Sequence, residues 1–212
     1  MKNQSNSIRY QNQNSHTSGN NGGFVVTDIL KKPIIYIYPI EKMDVEVKLG
    51  NPQYLSCTYP KYKNGWSVTA DVDGTLVDKN TGKNLYALYW EGKEVPKNIN
   101  LKEGFCVKGK DTATFLEEKL SLLGLSDKEA EEFIIYWLPK MEENNYNYIR
   151  FETKEEQDKS MPLEITPKPD NLIRVMMDWK GLDEKIEVQE QNLETPIREG
   201  YTVVEWGGTE IK

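Results

Sequence analysis

Strict two-residue alternation, interrupted at short intervals by turn residues, limits what this chain can fold into more than any other feature. Asp44-Val-Glu-Val-Lys-Leu49 sets Val45, Val47 and Leu49 on one side and charges on the other. Side chains alternate across a strand, so such a segment suits a half-buried strand of an antiparallel sheet. Leu55, Cys57 and Tyr59 repeat the period, as do Trp66, Val68 and Ala70, with turns expected at Asn51-Pro52 and Lys63-Asn-Gly65. Pro33-Ile-Ile-Tyr-Ile-Tyr-Pro39 is a β-branched and aromatic strand bracketed by prolines. Asp73-Gly74 and Lys79-Asn-Thr-Gly82 punctuate two further strands, the second over Asn84 to Glu91.

The period changes at Lys110. Phe115, Leu116, Lys119, Leu120 and Leu123 recur at helical spacing, with Asp111 as the expected cap and Gly124 as the stop. Ser126-Asp-Lys-Glu129 is a capping-box signature for a second helix, expected to run through Ala130, Phe133, Ile134 and Trp137 to about Asn144. Strands return at Tyr146–Phe151, Leu163–Thr166, Leu172–Trp179, Ile186–Gln189 and Tyr201–Trp206. Strands, a helical hairpin and strands again predict an α+β fold: a mainly antiparallel sheet or sandwich with a two-helix hairpin packed on one side.

Residues 1–31 are expected to be a disordered polar tail, because Met1 to Gly23 consists mostly of Asn, Gln, Ser and Gly. Residues 32–212 are expected to form a single domain. The lone histidine, His16, lies in that tail, which removes triads and imidazole-based zinc sites from consideration. Lys plus Arg number 27 against 34 Asp plus Glu, a net charge of −7, which argues against nucleic acid and anionic membranes as partners. The longest apolar run is far short of a bilayer span and no apolar segment follows Met1. The chain as written is therefore expected to be soluble and cytoplasmic. Cys57 and Cys106, without a C-x-x-C, fit buried reduced thiols better than a metal site, and neither a metal nor another cofactor is expected.

Asp71-Val-Asp-Gly-Thr-Leu-Val-Asp78 matches the D-x-D-G-T signature of haloacid-dehalogenase phosphatases, whose first Asp attacks phosphorus beside magnesium. That nucleophile must leave the end of a buried parallel strand, whereas Gly65–Ala70 alternates. A hairpin turn explains Asp71 and Asp73 better, and a magnesium-dependent phosphatase is a distant third reading of function. The same stretch lacks the twelfth-position Glu of a calcium loop.

Tyr89-Trp-Glu-Gly92 and Val204-Glu-Trp-Gly-Gly208 each set a carboxylate beside an indole and a glycine. If the two strand ends are neighbours, Glu91 and Glu205 form a carboxylate pair over an aromatic platform of Tyr89, Trp90 and Trp206, as glycan hydrolysis requires. The alternative is that the indoles are core. Arg174, between Ile173 and Val175, is expected to pair with a sheet carboxylate.

Taken together, Lys32-Pro-Ile-Ile-Tyr-Ile-Tyr-Pro39, Gly65–Ala70, Asp73–Leu76, Trp90-Glu-Gly92, Tyr136-Trp-Leu-Pro-Lys-Met141 and Thr202–Gly208 resemble a family of uncharacterised, mostly bacterial proteins. The resemblance spans about Lys32 to Thr209. It implies that relatives often follow a signal or lipoprotein sequence, and it carries no activity or catalytic residue. The leading expectation is a non-enzymatic β-rich domain that binds a protein or a glycan through exposed Tyr and Trp. The second is a carboxylate-dependent hydrolase using Glu91 and Glu205.

Overall fold

Alternating strands need a partner layer for each apolar face, and this chain supplies one on both sides of its larger sheet. The computed structural model describes residues 24–99 and 101–211, with side chains described outside 24–29 and 94–99. The first half holds β1 (Phe24–Tyr38), β2 (Met43–Leu49), β3 (Leu55–Tyr59), β4 (Trp66–Ala70), β5 (Leu76–Asp78), β6 (Asn84–Leu85), β7 (Leu88–Ile99) and β8 (Glu103–Lys108). Helices α1 (Thr112–Leu122) and α2 (Asp127–Trp137) follow. Then come β9 (Tyr146–Phe151), α3 (Lys154–Ser160), β10 (Leu163–Thr166), β11 (Asn171–Leu182), β12 (Gln189–Glu190) and β13 (Thr202–Glu210).

Eight strands form one sheet in the order β12-β8-β9-β11-β13-β1-β7-β3, and five form a second in the order β10-β2-β4-β5-β6. Pairing is mostly antiparallel; β11 and β13 run parallel through nine register pairs, Asn171↔Thr202 to Trp179↔Glu210. One core lies between α1, α2 and the large sheet, built on Leu116, Phe133, Trp137, Ile149, Val175 and Trp206. The other lies between the two sheets, built on Ile35, Val47, Trp66, Leu76, Trp90 and Val203. The expected α+β architecture, with a helical hairpin on one side of antiparallel sheets, is what the chain adopts.

Local details follow and amend the sequence pattern. Val45, Val47 and Leu49 are all buried, as their alternation requires. Ser126 caps α2 with the full reciprocal box to Glu129, and Gly124 (φ 84°) ends α1 with the Leu125 amide donating to the Leu120 carbonyl at 3.0 Å. Asp111 makes no capping bond. Instead the Thr112 hydroxyl donates to the Lys108 carbonyl at 3.3 Å. Helix α2 stops at Trp137, because Pro139 admits only a tight 3₁₀ turn over Leu138–Lys140. Strand β1 begins at Phe24, inside the stretch expected to be tail, because its pairing with β7 runs out to Phe24↔Ile99. The rest of that stretch, with His16, lies outside the described residues. Of the strand expected at Ile186–Gln189, only Gln189 and its neighbour Glu190 pair.

Gly109 fixes how the β8–α1 connection seats on the turn after α2. A Cβ there would fall 2.0 Å from the Asn144 carbonyl oxygen and 2.5 Å from that of Glu142, both backbone atoms with little room to move. Gly109→Ala should therefore destabilise the fold by roughly 1–3 kcal/mol or more through overpacking. A thermal unfolding midpoint equal to that of the wild type would contradict this packing.

Candidate functional site

Strand β13 lies between β11 and β1 with a layer on each face, so Thr202 to Thr209 are all buried. Val203 and Glu205 face the small sheet, whereas Val204 and Trp206 face the helices. Glu205 is 0% exposed, and both of its oxygens are engaged. Oε2 accepts from Arg174 Nε at 2.7 Å, and Oε1 accepts from Trp90 Nε1 at 2.9 Å. The same guanidinium reaches Asp158 at 3.2 Å and donates to the Met161 carbonyl at 2.9 Å. Arg174 is thus the partner of a sheet carboxylate, as its place in the strand suggests.

Glu91 is on the other side of that sheet. Along β7, Leu88 and Trp90 point into the core between the sheets, so Tyr89 and Glu91 point towards the helices. Both side chains are half-buried, and burial, followed by the nearby Glu91 carboxylate, pushes the Tyr89 hydroxyl pKa up. The two doublets lie on strands that flank β1 and do not pair with each other, and the two carboxyl groups point to opposite faces of the sheet, so they do not form a pair over an open groove. One faces a buried arginine; the other faces a surface.

The aromatic platform needs a parallel correction. All five tryptophans are buried: Trp66, Trp90, Trp137, Trp179 and Trp206. Trp90 and Trp206 belong to opposite cores, so no ligand meets both. The glycines beside them serve packing within the chain: a Cβ at Gly207 would meet Pro33 at 3.0 Å, and one at Gly208 would meet the Trp137 ring at 2.9 Å. Cys57 is exposed and Cys106 partly buried, both as free thiols, so the expectation of buried thiols fails at Cys57.

Asp71 and Asp73 lie in the turn joining antiparallel β4 and β5, whose register runs Val68↔Asp78 to Ala70↔Leu76. Asp71 Oδ1 accepts from the Val72 amide at 2.9 Å, Asp73 Oδ1 accepts from the Thr75 amide at 2.8 Å, and Gly74 takes φ 84°. Both carboxylates are used as turn acceptors. Among the described residues no group of three or more His, Cys, Asp or Glu is placed to hold a metal.

Two charged clusters went unread in the sequence. Arg150 is buried, bonded to Asp178 at 3.2 Å and to both Glu156 oxygens at 2.9 and 2.8 Å. Glu156 also closes a capping box with Thr153 at the start of α3, and Thr-Lys-Glu-Glu156 is a signature legible in the sequence. Arg198 forks onto Glu129 at 2.7 and 2.9 Å while Tyr38 donates to Glu129 at 2.7 Å. Burial pushes the Glu129 carboxyl up, but Arg198, Tyr38 and the Ser126 amide outweigh it and hold the carboxyl below its usual value. Both clusters are ion pairs that tie loops and helices to the sheet, although the buried Arg150 Nε has no hydrogen-bond partner among the described residues.

An exposed tyrosine and two half-buried ones meet elsewhere, on the helix side of the β3 edge. Tyr59, 55% exposed, sits directly across from Tyr89 in the β3–β7 register, with Cys57 across from Glu91. Half-buried Tyr136, from α2, completes the group close enough that Glu91 raises its hydroxyl pKa after burial has done so. Lys140 Nζ lies 3.8 Å and Lys32 Nζ 5.4 Å from the Tyr136 ring centroid. This face combines aromatic surface, a carboxylate and ammonium groups without enclosing them.

Compared with protein-family models, curated proteins and solved structures, the chain has no significant match. The assignment of the site therefore rests on geometry. No helix among the described residues is long and apolar enough to cross a membrane.

If Glu205 is structural, Glu205→Leu should leave a buried guanidinium short of its main counter-charge and cost roughly 3–5 kcal/mol. Glu91→Gln, on a half-buried surface position, should cost less than about 1 kcal/mol. Urea unfolding midpoints check both. Equal midpoints for the two variants would contradict the division of roles.

Proposed function

We propose that the chain is a non-enzymatic glycan-binding domain, and that Tyr59, Tyr89 and Tyr136 with Glu91 form its binding face. The observation that carries this reading is the gathering of partly exposed tyrosines around a carboxylate on an uncovered stretch of sheet, while every tryptophan is committed to a core. Tyrosine offers an apolar ring with a polar tip, which suits a surface wet at one end. A sugar ring presents C–H faces and hydroxyls together, and the aromatic rings and the Glu91 oxygens match those two needs.

A protein partner is the competing occupant. Protein interfaces centre on desolvated apolar anchors with charge kept to the rim. Here Glu91, Lys32 and Lys140 stand among the tyrosines themselves, which favours a polyhydroxylated ligand. A hydrolase reading using the Glu91–Glu205 pair is disfavoured, because Glu205 faces the inter-sheet core and is held by Arg174 while Glu91 faces the other side.

Affinity electrophoresis through gels containing neutral and acidic polysaccharides tests the reading. The wild type should be retarded by at least one polymer, and Tyr89→Ala or Tyr136→Ala should weaken that retardation about tenfold, a loss of roughly 1.4 kcal/mol. No new reducing ends should appear in the bound polymer. Absence of retardation across the panel, or retardation unchanged in both variants, would overturn the proposal.

A further inference from the structure

The β1 strand carries a bulge whose consequence is chemical. Register with β13 runs Lys31↔Gly208 and then Ile34↔Trp206, so one extra residue is accommodated on the β1 side. Lys32 takes φ 61°, and among the described residues no other non-glycine has a positive φ. Bulges re-aim side chains, and a left-handed lysine is a strained choice where glycine or asparagine would sit more easily. The strain directs Lys32 to the ring of Tyr136, where Lys140 already lies.

The result is a concentration of positive charge in a chain of net charge −7. Among the described residues, no salt bridge neutralises Lys31, Lys32 or Lys140. Burial, Lys31 and Lys32 all disfavour the charged form of Lys140, and Glu210 pulls the other way. Lys140 donates to the Tyr136 carbonyl and is opposed by Glu210, but the three clustered cations keep a local positive excess that can receive an anion.

We propose that Lys31, Lys32 and Lys140 make the tyrosine face selective for an anionic saccharide, one whose sugar units carry a carboxylate or a sulfate. This rests on the glycan-binding reading above and adds the charge of the ligand. The tyrosine rings hold the sugar, and the three ammonium groups meet its anionic substituent. Because the lysines are at least partly solvated, selectivity for the anion should fade with salt.

Two matched polymer pairs test this on the full chain: polygalacturonate against its methyl ester, and dextran sulfate against dextran. At low salt the acidic member of at least one pair should bind at least tenfold more tightly than its neutral partner. Preference in the first pair alone would assign a carboxylate, and in the second alone a sulfate. Combining Lys32→Gly with Lys140→Gln should abolish the preference, whereas Lys63→Gln, at an exposed position elsewhere, should leave it intact. Glycine fits the left-handed backbone at 32, so Lys32→Gly should keep or raise the thermal midpoint, separating a binding defect from a folding one. Equal binding of both members of each pair would overturn the charge selectivity and leave the glycan reading standing. An acidic preference that survives in the double variant would also overturn it, and binding to none of the four polymers would remove both readings.

Discussion

The ion pair between Arg174 and Glu205, buried between the two sheets, is the constraint on which the rest of the structure depends. It joins neighbouring parallel strands β11 and β13, and through Trp90 it reaches β7 on the far side of β1. Through Asp158 and the Met161 carbonyl it also holds α3 and the chain leading into the small sheet. Desolvating two charges is costly, and a buried pair persists only where further hydrogen bonds satisfy the remaining donors and acceptors. Here each oxygen of Glu205 has a donor, and the guanidinium is shared among three acceptors. One of the two carboxylates that the sequence offered as candidates, Glu205, is thereby committed to the interior of the fold.

That constraint divides the large sheet into two faces with different work. Trp90 turns inward to bond Glu205, so its neighbours Tyr89 and Glu91 must turn outward, because successive residues of a strand face opposite sides. The fit of Pro33 against Gly207 coincides with the bulge that leaves Lys32 left-handed, and on the outer face Lys32 lies beside Tyr136. The candidate binding surface follows from how the interior is packed: tyrosines, lysines and one glutamate are left outside because the tryptophans and the other glutamate are inside.

Much of this was legible in the chain. Period-two segments such as Asp44–Leu49 placed their strands and buried faces, the Ser126–Glu129 box and Gly124 bounded the helices, and Asp73-Gly74 marked a hairpin. What failed did so for identifiable reasons. Adjacency of Glu and Trp in two doublets does not say which face each residue takes, and the face depends on which neighbouring strand pairs with it. The extent of β1 and β7 beyond the periodic stretches arises from their mutual pairing, which local propensity does not encode. Arg150 and Arg198 find their carboxylates through tertiary contacts, whereas the Thr153–Glu156 capping box is set by local spacing alone. Tyr136 joins Tyr89 only because α2 lies over this sheet, so no spacing rule could have grouped them.

The most direct measurement of the central claim is a double-mutant cycle on Arg174→Met and Glu205→Leu, read from urea unfolding in the full chain. If the two side chains stabilise one another inside the fold, the free-energy losses will be strongly non-additive, with a coupling of about 1.5 kcal/mol or more. Additive losses, within about 0.5 kcal/mol, would show that Glu205 is not tied to Arg174 and would reopen the question of what that carboxylate does.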